Sequence, residues 1–196
     1  MTETVLIATF YSFQPFVAAA HAFSPSKVII IIAEDTSQKI ENDLSKVKEI
    51  YGKVASIEII KVKGSDLLDI ASKTIELIKD NKENKIIVNV SGGWKLLAQG
   101  VLYGSYARSE LLDKIVCNNL EDNSIVELPK LSFGLSTAKR ELLEEIANRK
   151  ERTIAEISKK LNRTRGMLYQ HLKELKENGY VDEKFDITLA GKMALL

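Results

Sequence analysis

Short apolar runs rich in β-branched residues alternate with helix-like patterns through the first two thirds of the chain. Between the runs, apolar residues recur at helical spacing, as they do at Ile40, Leu44 and Val47. Such alternation predicts βαβ units, in which helices cover a mainly parallel sheet. We therefore expect an α/β fold with a Rossmann-like sheet. The runs expected to form strands buried on both faces are residues 5–9, 28–33, 57–62, 86–90 and 115–118.

The sheet is expected to end with an antiparallel strand. Residues 124–128 form a sixth apolar run, which a turn at residues 121–123 brings back beside the fifth. Proline and glycine within residues 129–134 then indicate a linker, after which the pattern changes. The predicted division of the chain is an α/β domain at residues 1–130, a linker at 131–135 and a small second domain at 136–196.

The second domain shows helical patterns followed by a hairpin. Thr153 and Glu156 form a capping box at the start of one helix, and Gly179 ends another, as a left-handed residue would. Helices at this spacing with a trailing hairpin are typical of a helix-turn-helix domain with a short wing. The predicted helices are residues 138–148, 154–161 and 165–178, and the predicted hairpin strands are residues 180–183 and 185–189.

The last of these helices combines an apolar stripe, Leu168, Leu172 and Leu175, with a polar face. The segment TIAEISKKLNRTRGMLYQHLKELKENGYV resembles the winged helix-turn-helix family of prokaryotic regulators, and the resemblance covers about residues 136–196. In a major groove of double-stranded DNA, arginine and glutamine can read base edges while lysine holds phosphate. The residues expected on the DNA are Thr164, Arg165, Gly166, Tyr169, Gln170 and Lys173. The alternative is a protein-binding winged helix whose charged face is merely solvated.

Composition and charge narrow the class of protein. Apolar residues at 45% and charged residues at 28% are typical of a soluble globular protein. Cys117 is the single cysteine, which rules out an intrachain disulfide and suits a reducing cytoplasm. Neither a secretion signal nor an apolar run of about 20 residues is present, so no membrane partner is expected. Residues 131–196 hold 13 Lys and Arg against 10 Asp and Glu, which weakly favours an anionic partner there.

Residues 88–100, VNVSGGWKLLAQG, place two glycines and a lysine between a strand and a helix. Parallel α/β sheets bind ligands at such turns. Gly92 and Gly93 let the backbone approach a ligand closely, and Lys95 in the first turn of a helix suits a phosphate. Alternatively, the glycines make only a tight turn and Trp94 packs into the core. The spacing is neither a GxGxxG fingerprint nor a Walker loop, and it leaves both interpretations open.

The order of the two domains resembles the CRISPR-associated Rossmann fold (CARF) family, in its archaeal transcription-regulator branch. The resemblance spans essentially the whole chain and rests on SGGWK at residues 91–95 and TFYSFQP at residues 9–15. It implies a homodimer that binds a cyclic oligoadenylate, most often the tetra-adenylate, across its two-fold axis. The ligand would pass a signal to the winged helices; no other cofactor and no metal is expected. The residues expected at the ligand are Thr9, Phe10, Tyr11, Ser12, Gln14, Ser91, Gly92, Gly93, Trp94 and Lys95.

Several residues near this expected site have a second interpretation. The rings of Phe10, Tyr11 and Phe13 can stack on adenines, or they can pack into the core. Asp66, which opens a helix after Gly64, can line the same rim or serve as the acidic start of that helix.

The leading hypothesis is a ligand-controlled DNA-binding regulator, acting on CRISPR-related promoters as the resemblance implies. The enzymatic alternative, also implied by the resemblance to CARF proteins, is a ring nuclease in which a ribose 2′-hydroxyl attacks the neighbouring phosphate while Lys95 stabilises the developing charge. A third possibility is a regulator that senses another nucleotide, or none. His21, His171 and Cys117 lack metal-ligand spacing, and the sequence shows neither a catalytic triad nor a paired-carboxylate motif.

Overall fold

The chain divides into two units, Met1–Ser132 and Phe133–Leu196, which are described separately below. The computed structural model describes residues 2–119, 121–122, 124–131, 134–148 and 153–196. The turn predicted at 121–123 includes Asn123, and the predicted linker includes Ser132 and Phe133; these three residues lie outside the described part. Among the residues that are described, no helix has both the length and the apolarity needed to cross a bilayer.

The first unit is a layered α/β structure, as the sequence predicted. The strands are β1 (Thr4–Thr9), β2 (Lys27–Ala33), β3 (Ser56–Val62), β4 (Lys85–Asn89), β5 (Lys114–Asn118) and β6 (Ile125–Leu128). The sheet order is β3-β2-β1-β4-β5-β6; every neighbouring pair is parallel except β5 and β6, which are antiparallel. The helices are α1 (Phe13–Phe23), α2 (Gln38–Tyr51), α3 (Leu67–Asp80) and α4 (Lys95–Ala107), with a 3-10 turn at Ser109–Leu111.

The central strands are apolar on both faces because a separate core lies on each side of the sheet. On one side, Leu6 and Ile30 pack with the buried residues of α1 and α2. On the other side, Ile7 and Ile31 pack with the buried residues of α3 and α4. Consecutive residues of one strand therefore enter opposite cores, which explains the unbroken β-branched runs in the sequence.

The strand order reverses direction between β1 and β4. From β1 the chain goes through α1 to β2 on one side, whereas from β4 it goes through α4 to β5 on the other side. The turns that follow β1 and β4 consequently diverge toward opposite faces of the sheet. In open α/β sheets, the crevice at such a switch point is where ligands bind.

The second unit contains the helices predicted for a helix-turn-helix domain. Its core includes Leu142, Ile157 and Leu168, one residue from each of its first three helices. The capping box is confirmed, because the Thr153 N–H donates to Glu156 Oε2 at 2.8 Å and the Thr153 hydroxyl accepts from the Glu156 N–H. Gly179 has a φ of 72°, as a residue that ends a helix in the left-handed region does. The helices are α5 (Thr137–Ala147), α6 (Ile154–Leu161), α7 (Arg165–Glu177) and α8 (Leu189–Leu195).

The hairpin prediction was wrong in its second half. Strand pairing is limited to one bridge between Val181 and Ile187, and residue 189 begins α8 instead of ending a strand. The Thr188 hydroxyl accepts a hydrogen bond from Gly191 N–H at 3.1 Å and so caps α8. The wing is correspondingly short, and the chain turns from it directly into a helix.

Candidate functional site

The turn after β4 contacts the end of β1 through a hydrogen bond from a backbone N–H to a side-chain hydroxyl. Gly92 N–H donates to the Thr9 hydroxyl at 3.0 Å, and that hydroxyl lies 3.4 Å from the Asn89 carbonyl, to which it donates. A Cβ atom on Gly92 would come within 2.4 Å of the Thr9 carbonyl oxygen, so only glycine fits. The structure therefore brings SGGWK and TFYSFQP together at the switch point.

Two buried asparagines hold this junction in place, and the sequence interpretation missed both. Asn89 Oδ1 accepts from Ser91 N–H at 2.8 Å, and Asn89 Nδ2 donates to Asn118 Oδ1 at 3.2 Å. Asn118 N–H donates to the Ser91 hydroxyl at 2.6 Å, and Asn118 Nδ2 donates to the Pro15 carbonyl at 3.2 Å. The network thus connects β4, β5 and the start of α1. An asparagine at the end of a buried apolar strand, as in VNV, is the signal that could have revealed it.

Among the aromatic residues near the junction, Phe10 belongs to the core. Only 2% of its surface is exposed, and its ring packs edge-on against Phe16 with centroids 5.9 Å apart. Phe13 is half-buried and packs against the same core. The stacking role considered for Phe10 is therefore excluded by its burial, because the ring has no face open to a base.

Tyr11 and Trp94, in contrast, point away from the core. They are 47% and 52% exposed, so the alternative in which Trp94 packs into the core was wrong. Lys39, at the start of α2, places its Nζ 5.9 Å from the centre of the Tyr11 ring, which is a cation–π distance. The crevice is thus flanked by two accessible aromatic rings and a cation.

The first turn of α4 is open to an anion. Trp94 occupies its N-cap position without a side-chain hydrogen bond to the helix, which leaves the first amides of α4 without a side-chain partner. Lys95 follows it and is exposed. No carboxylate in the described part of the chain lies within 4.0 Å of its ammonium group. Amides without a side-chain cap, the helix dipole and a lysine together favour a phosphate.

The start of α1 has a similar character. Ser12 is its N-cap residue, makes no side-chain cap and is half-buried, while Gln14 is exposed in the first turn. Asp66 behaves differently, because its Oδ1 accepts from Leu68 N–H at 3.0 Å and caps α3. The capping interpretation therefore accounts for Asp66, whereas the starts of α1 and α4 keep backbone amides without a side-chain cap.

The predicted DNA-contacting residues share an exposed face at the start and middle of α7. The Thr164 hydroxyl caps the helix by accepting from Met167 N–H at 3.4 Å, and Gly166 has open space around its Cα. Tyr169 is 58% exposed, while the neighbouring Leu168 is fully buried. Arg165 is also exposed, and within the described ranges it has no carboxylate at ion-pair distance.

Farther along α7, glutamate side chains bind the polar and basic residues that were predicted to contact DNA. Gln170 Nε2 donates to Glu174 Oε1 at 2.9 Å, and Lys173 lies 3.8 Å from Glu177. Lys139 of α5 lies 2.6 Å from Glu174, and this hydrogen bond, with a second from Gln170, lowers the pKa of the Glu174 carboxyl. Of the two predicted cationic contacts, Lys173 has a carboxylate within 4.0 Å, whereas Arg165 has none among the described residues.

No group of three or more His, Cys, Asp or Glu side chains in the described residues is placed to hold a metal ion. His21 lies in α1 of the first unit and His171 in α7 of the second.

The fold defines a two-domain protein, in which an α/β domain with a switch-point crevice is followed by a helix-turn-helix domain. Residues 18–129 match the family described as the Csa3 CRISPR-associated Rossmann-like domain, and residues 136–183 match the family described as bacterial regulatory protein, arsR family. The first match covers more than half of the chain, so the chain belongs to the Csa3 family of CRISPR-associated Rossmann-like proteins. No curated protein matches the chain.

Two solved structures illustrate the likeness of the fold. Csm6 from Enterococcus italicus, bound to cyclic hexa-2′-fluoro-hexa-dAMP, is 12% identical with a TM-score of 0.52, over 92% of this chain and 57% of that one. Protein VC1899 from Vibrio cholerae is 13% identical with a TM-score of 0.54, over 91% of this chain and 52% of that one. The chain thus spans little more than half the length of either protein, and at these identities the likeness shows the fold alone.

Proposed function

We propose that the chain is a CRISPR-associated transcriptional regulator that works in the cytoplasm. Its winged helix-turn-helix domain binds double-stranded DNA, and its Rossmann-like domain senses a cyclic oligoadenylate. The observation that carries this proposal is the junction of Gly92 with Thr9, which sets two helix starts without side-chain caps around one crevice. Lys95 stands at one of these helix starts, and its ammonium has no carboxylate within 4.0 Å among the described residues. The cyclic ligand of Csm6 is a chemical precedent on a related fold.

The crevice suits an anionic nucleotide for electrostatic reasons. The first amides of α4 and the ammonium of Lys95 supply positive potential at one point of the sheet edge. Tyr11 and Trp94 add accessible aromatic faces on which a base can stack. A ligand that alternates phosphates and bases, as an oligoadenylate ring does, meets both requirements. We propose that the ring contains four adenylates, so that the ligand is cyclic tetra-adenylate.

In a homodimer, the affinity of such a site for its ligand is higher than in a single chain. Each chain contributes one Lys95 and one set of α4 amides, so a ligand with two-fold symmetry meets two of each. The DNA-binding domain benefits in the same way, because one winged helix with a short wing contacts few base pairs and a dimer reads two half-sites.

The ligand controls DNA binding only if it distinguishes between two states of the dimer. A ring that binds the DNA-competent state more tightly raises operator affinity, and one that binds the other state more tightly lowers it. The coupling is reciprocal, so operator DNA must change the affinity for the ring by the same factor.

A second candidate function is slow cleavage of the bound ring. The observation that favours it is the ammonium of Lys95 at the start of α4, which no carboxylate in the described ranges pairs with and which can stabilise charge on a phosphate attacked by the adjacent ribose 2′-hydroxyl. Such a reaction breaks the bond to the leaving 5′-oxygen and forms a 2′,3′-cyclic phosphate. The regulator and the ring nuclease are not mutually exclusive, because cleavage would end the signal.

The test is a mobility shift with the full chain on its own promoter and on neighbouring CRISPR promoters, with and without labelled cyclic tetra-adenylate. A change in operator affinity with the label recovered intact supports the regulator. Linear labelled product supports the ring nuclease. If the protein shifts no promoter and retains no label, the proposed function is wrong.

A further inference from the structure

The carboxylate of Glu174 binds one of the residues predicted to read DNA, although Glu174 was not itself among the predicted contacts. Gln170 Nε2 donates to Glu174 Oε1 at 2.9 Å, across one turn of the helix. Both residues belong to α7 of the second unit. The inference that follows rests on the proposed function and concerns the base that Gln170 recognises.

A lysine from another helix holds the Glu174 carboxylate in place. Lys139 of α5 lies 2.6 Å from Glu174 Oε2, which leaves Oε1 for Gln170. The hydrogen bond from Lys139, followed by the one from Gln170, lowers the pKa of the Glu174 carboxyl. The carboxyl group therefore stays ionised, and an ionised carboxylate accepts hydrogen bonds but donates none. The charge of Lys139 also offsets the negative charge that Glu174 would otherwise present to DNA phosphates.

This acceptor fixes which way the Gln170 amide faces. A glutamine amide has a carbonyl oxygen that accepts and an NH₂ group that donates. Only the NH₂ end can bind an ionised carboxylate, so Nε2 faces Glu174 and Oε1 turns away from it. No group in the described part of the chain donates to Oε1, and the second N–H of Nε2 has no acceptor there. Gln170 thus offers DNA one acceptor and one donor in a fixed order.

The Gln170 amide is accessible on the face of α7 that is predicted to enter the major groove. Gln170 is exposed, as is Tyr169 beside it. Gly166 lies one turn earlier on the same face, and a Cβ built there would have no atom within 4 Å. Residue 166 therefore has no side chain that could cover the amide.

We propose that Glu174 is a positioning residue that makes Gln170 a reader of adenine. In the major groove, adenine offers the N6 amino donor beside the N7 acceptor, which the oxygen and an N–H of a glutamine amide match. Guanine offers two acceptors, O6 and N7, so a fixed Oε1 would face an acceptor and lose its hydrogen bond. An amide that was free to turn could place its NH₂ end against O6 instead. Glu174 thus excludes the orientation that would bind guanine.

The test first finds the base pair that Gln170 reads. The full chain selects duplexes from a pool with a randomised centre, with and without cyclic tetra-adenylate, and Gln170→Ala goes through the same selection. The position at which only the parent shows a preference is the one that Gln170 contacts. There we expect adenine, and fluorescence anisotropy should show at least about tenfold tighter binding of the adenine duplex than of the guanine duplex.

Two variants then show whether Glu174 sets this preference. Glu174→Ala frees the amide, and Glu174→Gln keeps the shape of the side chain but can donate as well as accept. Both variants should therefore bind the adenine and guanine duplexes with about equal affinity. Glu177→Ala is the matched control, because Glu177 lies 3.8 Å from Lys173 at the same spacing along α7. It should keep the parent's preference for adenine.

The outcomes separate this inference from the function on which it rests. If Gln170→Ala selects the same sequence as the parent, if the parent prefers another base at the Gln170 position, or if either Glu174 variant keeps the preference for adenine, the inference is wrong while the DNA-binding regulator stands. If the parent enriches no sequence under either condition, DNA binding itself is wrong and the inference falls with it. A circular dichroism spectrum equal to the parent's ensures that each variant is folded.

Discussion

Gly92 N–H and the Thr9 hydroxyl oxygen lie 3.0 Å apart, and this hydrogen bond joins two turns that leave the sheet toward opposite faces. Both residues are buried, so neither group can turn to water if the other is lost. The crevice therefore owes its shape to an interaction within each chain, present before any ligand arrives.

Replacing the Thr9 hydroxyl should destabilise the first unit. Thr9→Val keeps the shape of the side chain but leaves the Gly92 N–H buried without its partner, which should cost about 1–3 kcal/mol. Urea unfolding should show this as a lower midpoint with an unchanged slope. Thr9→Ser retains the hydroxyl and should restore most of the loss. Equal midpoints for the valine and serine variants would mean that the hydrogen bond contributes nothing.

Gly92→Ala should force the two turns apart. The added Cβ would meet the Thr9 carbonyl oxygen at 2.4 Å and the Phe10 Cα at 2.8 Å, and backbone atoms cannot yield as a flexible side chain can. We expect a loss of about 1–3 kcal/mol in the free energy of unfolding. Gly166→Ala is the control, because that position in α7 is open and helical. It should be neutral or stabilising by up to about 1 kcal/mol. A Gly92→Ala protein as stable as the parent would show that the close approach is not required.

Alanine at Arg165 and alanine at Arg163 should affect different properties of the protein, although the two residues are only two positions apart. Arg165 has no carboxylate partner in the described residues, so Arg165→Ala should weaken operator binding by about 1–3 kcal/mol and leave folding unchanged. Arg163 donates to Glu141 Oε2 through Nε at 3.1 Å and Nη2 at 2.8 Å, so Arg163→Ala should lower stability instead. Fluorescence anisotropy with labelled operator and thermal unfolding together separate the two effects. Unchanged operator affinity in Arg165→Ala would remove that residue from the interface.

The strands could be predicted from the sequence because their signal is local. A run such as that of β2, buried on both faces, needs no partner to be recognised, and its observed ends differ from the prediction by at most one residue. The strand-to-helix turn at SGGWK was equally local. The short helix α8 was missed because it has seven residues and depends on tertiary packing. Gly191, for example, approaches the Tyr180 carbonyl so closely that a Cβ would lie 2.3 Å from it.

The parts of the site that escaped prediction depend on the register of strands. Asn89 of β4 pairs with Val116 of β5, and this register brings Asn118 within hydrogen-bond reach of both Asn89 and Ser91. No pattern within either segment contains that relationship. The sequence likewise could not predict which of the adjacent rings of Phe10 and Tyr11 is buried, because only the packing of α1 determines which ring enters the core.

Lys95→Ala should weaken ligand binding without disturbing the fold. Each lost charge-assisted contact costs about 1.5–3 kcal/mol, and a symmetric ring loses two, so affinity should fall by at least about two orders of magnitude. Equilibrium dialysis with labelled cyclic tetra-adenylate measures this directly. Lys82→Ala is the matched control, because Lys82 is an exposed lysine that precedes β4, whereas Lys95 follows it. This variant should bind the ligand as the parent does. Parent-like binding by Lys95→Ala would reduce SGGWK to a structural turn.

The central claim is that two copies of the switch-point crevice bind one cyclic oligoadenylate, and calorimetric titration of the full chain tests it most directly. With cyclic tetra-adenylate, we predict saturable heat at one ring per two chains, and much weaker binding of linear tetra-adenylate at equal concentration. Cyclic tri- and hexa-adenylate, titrated in the same way, show whether another ring size binds more tightly. The absence of saturable heat with all of these rings would contradict the account, as would a stoichiometry of one ring per chain on a monomeric protein.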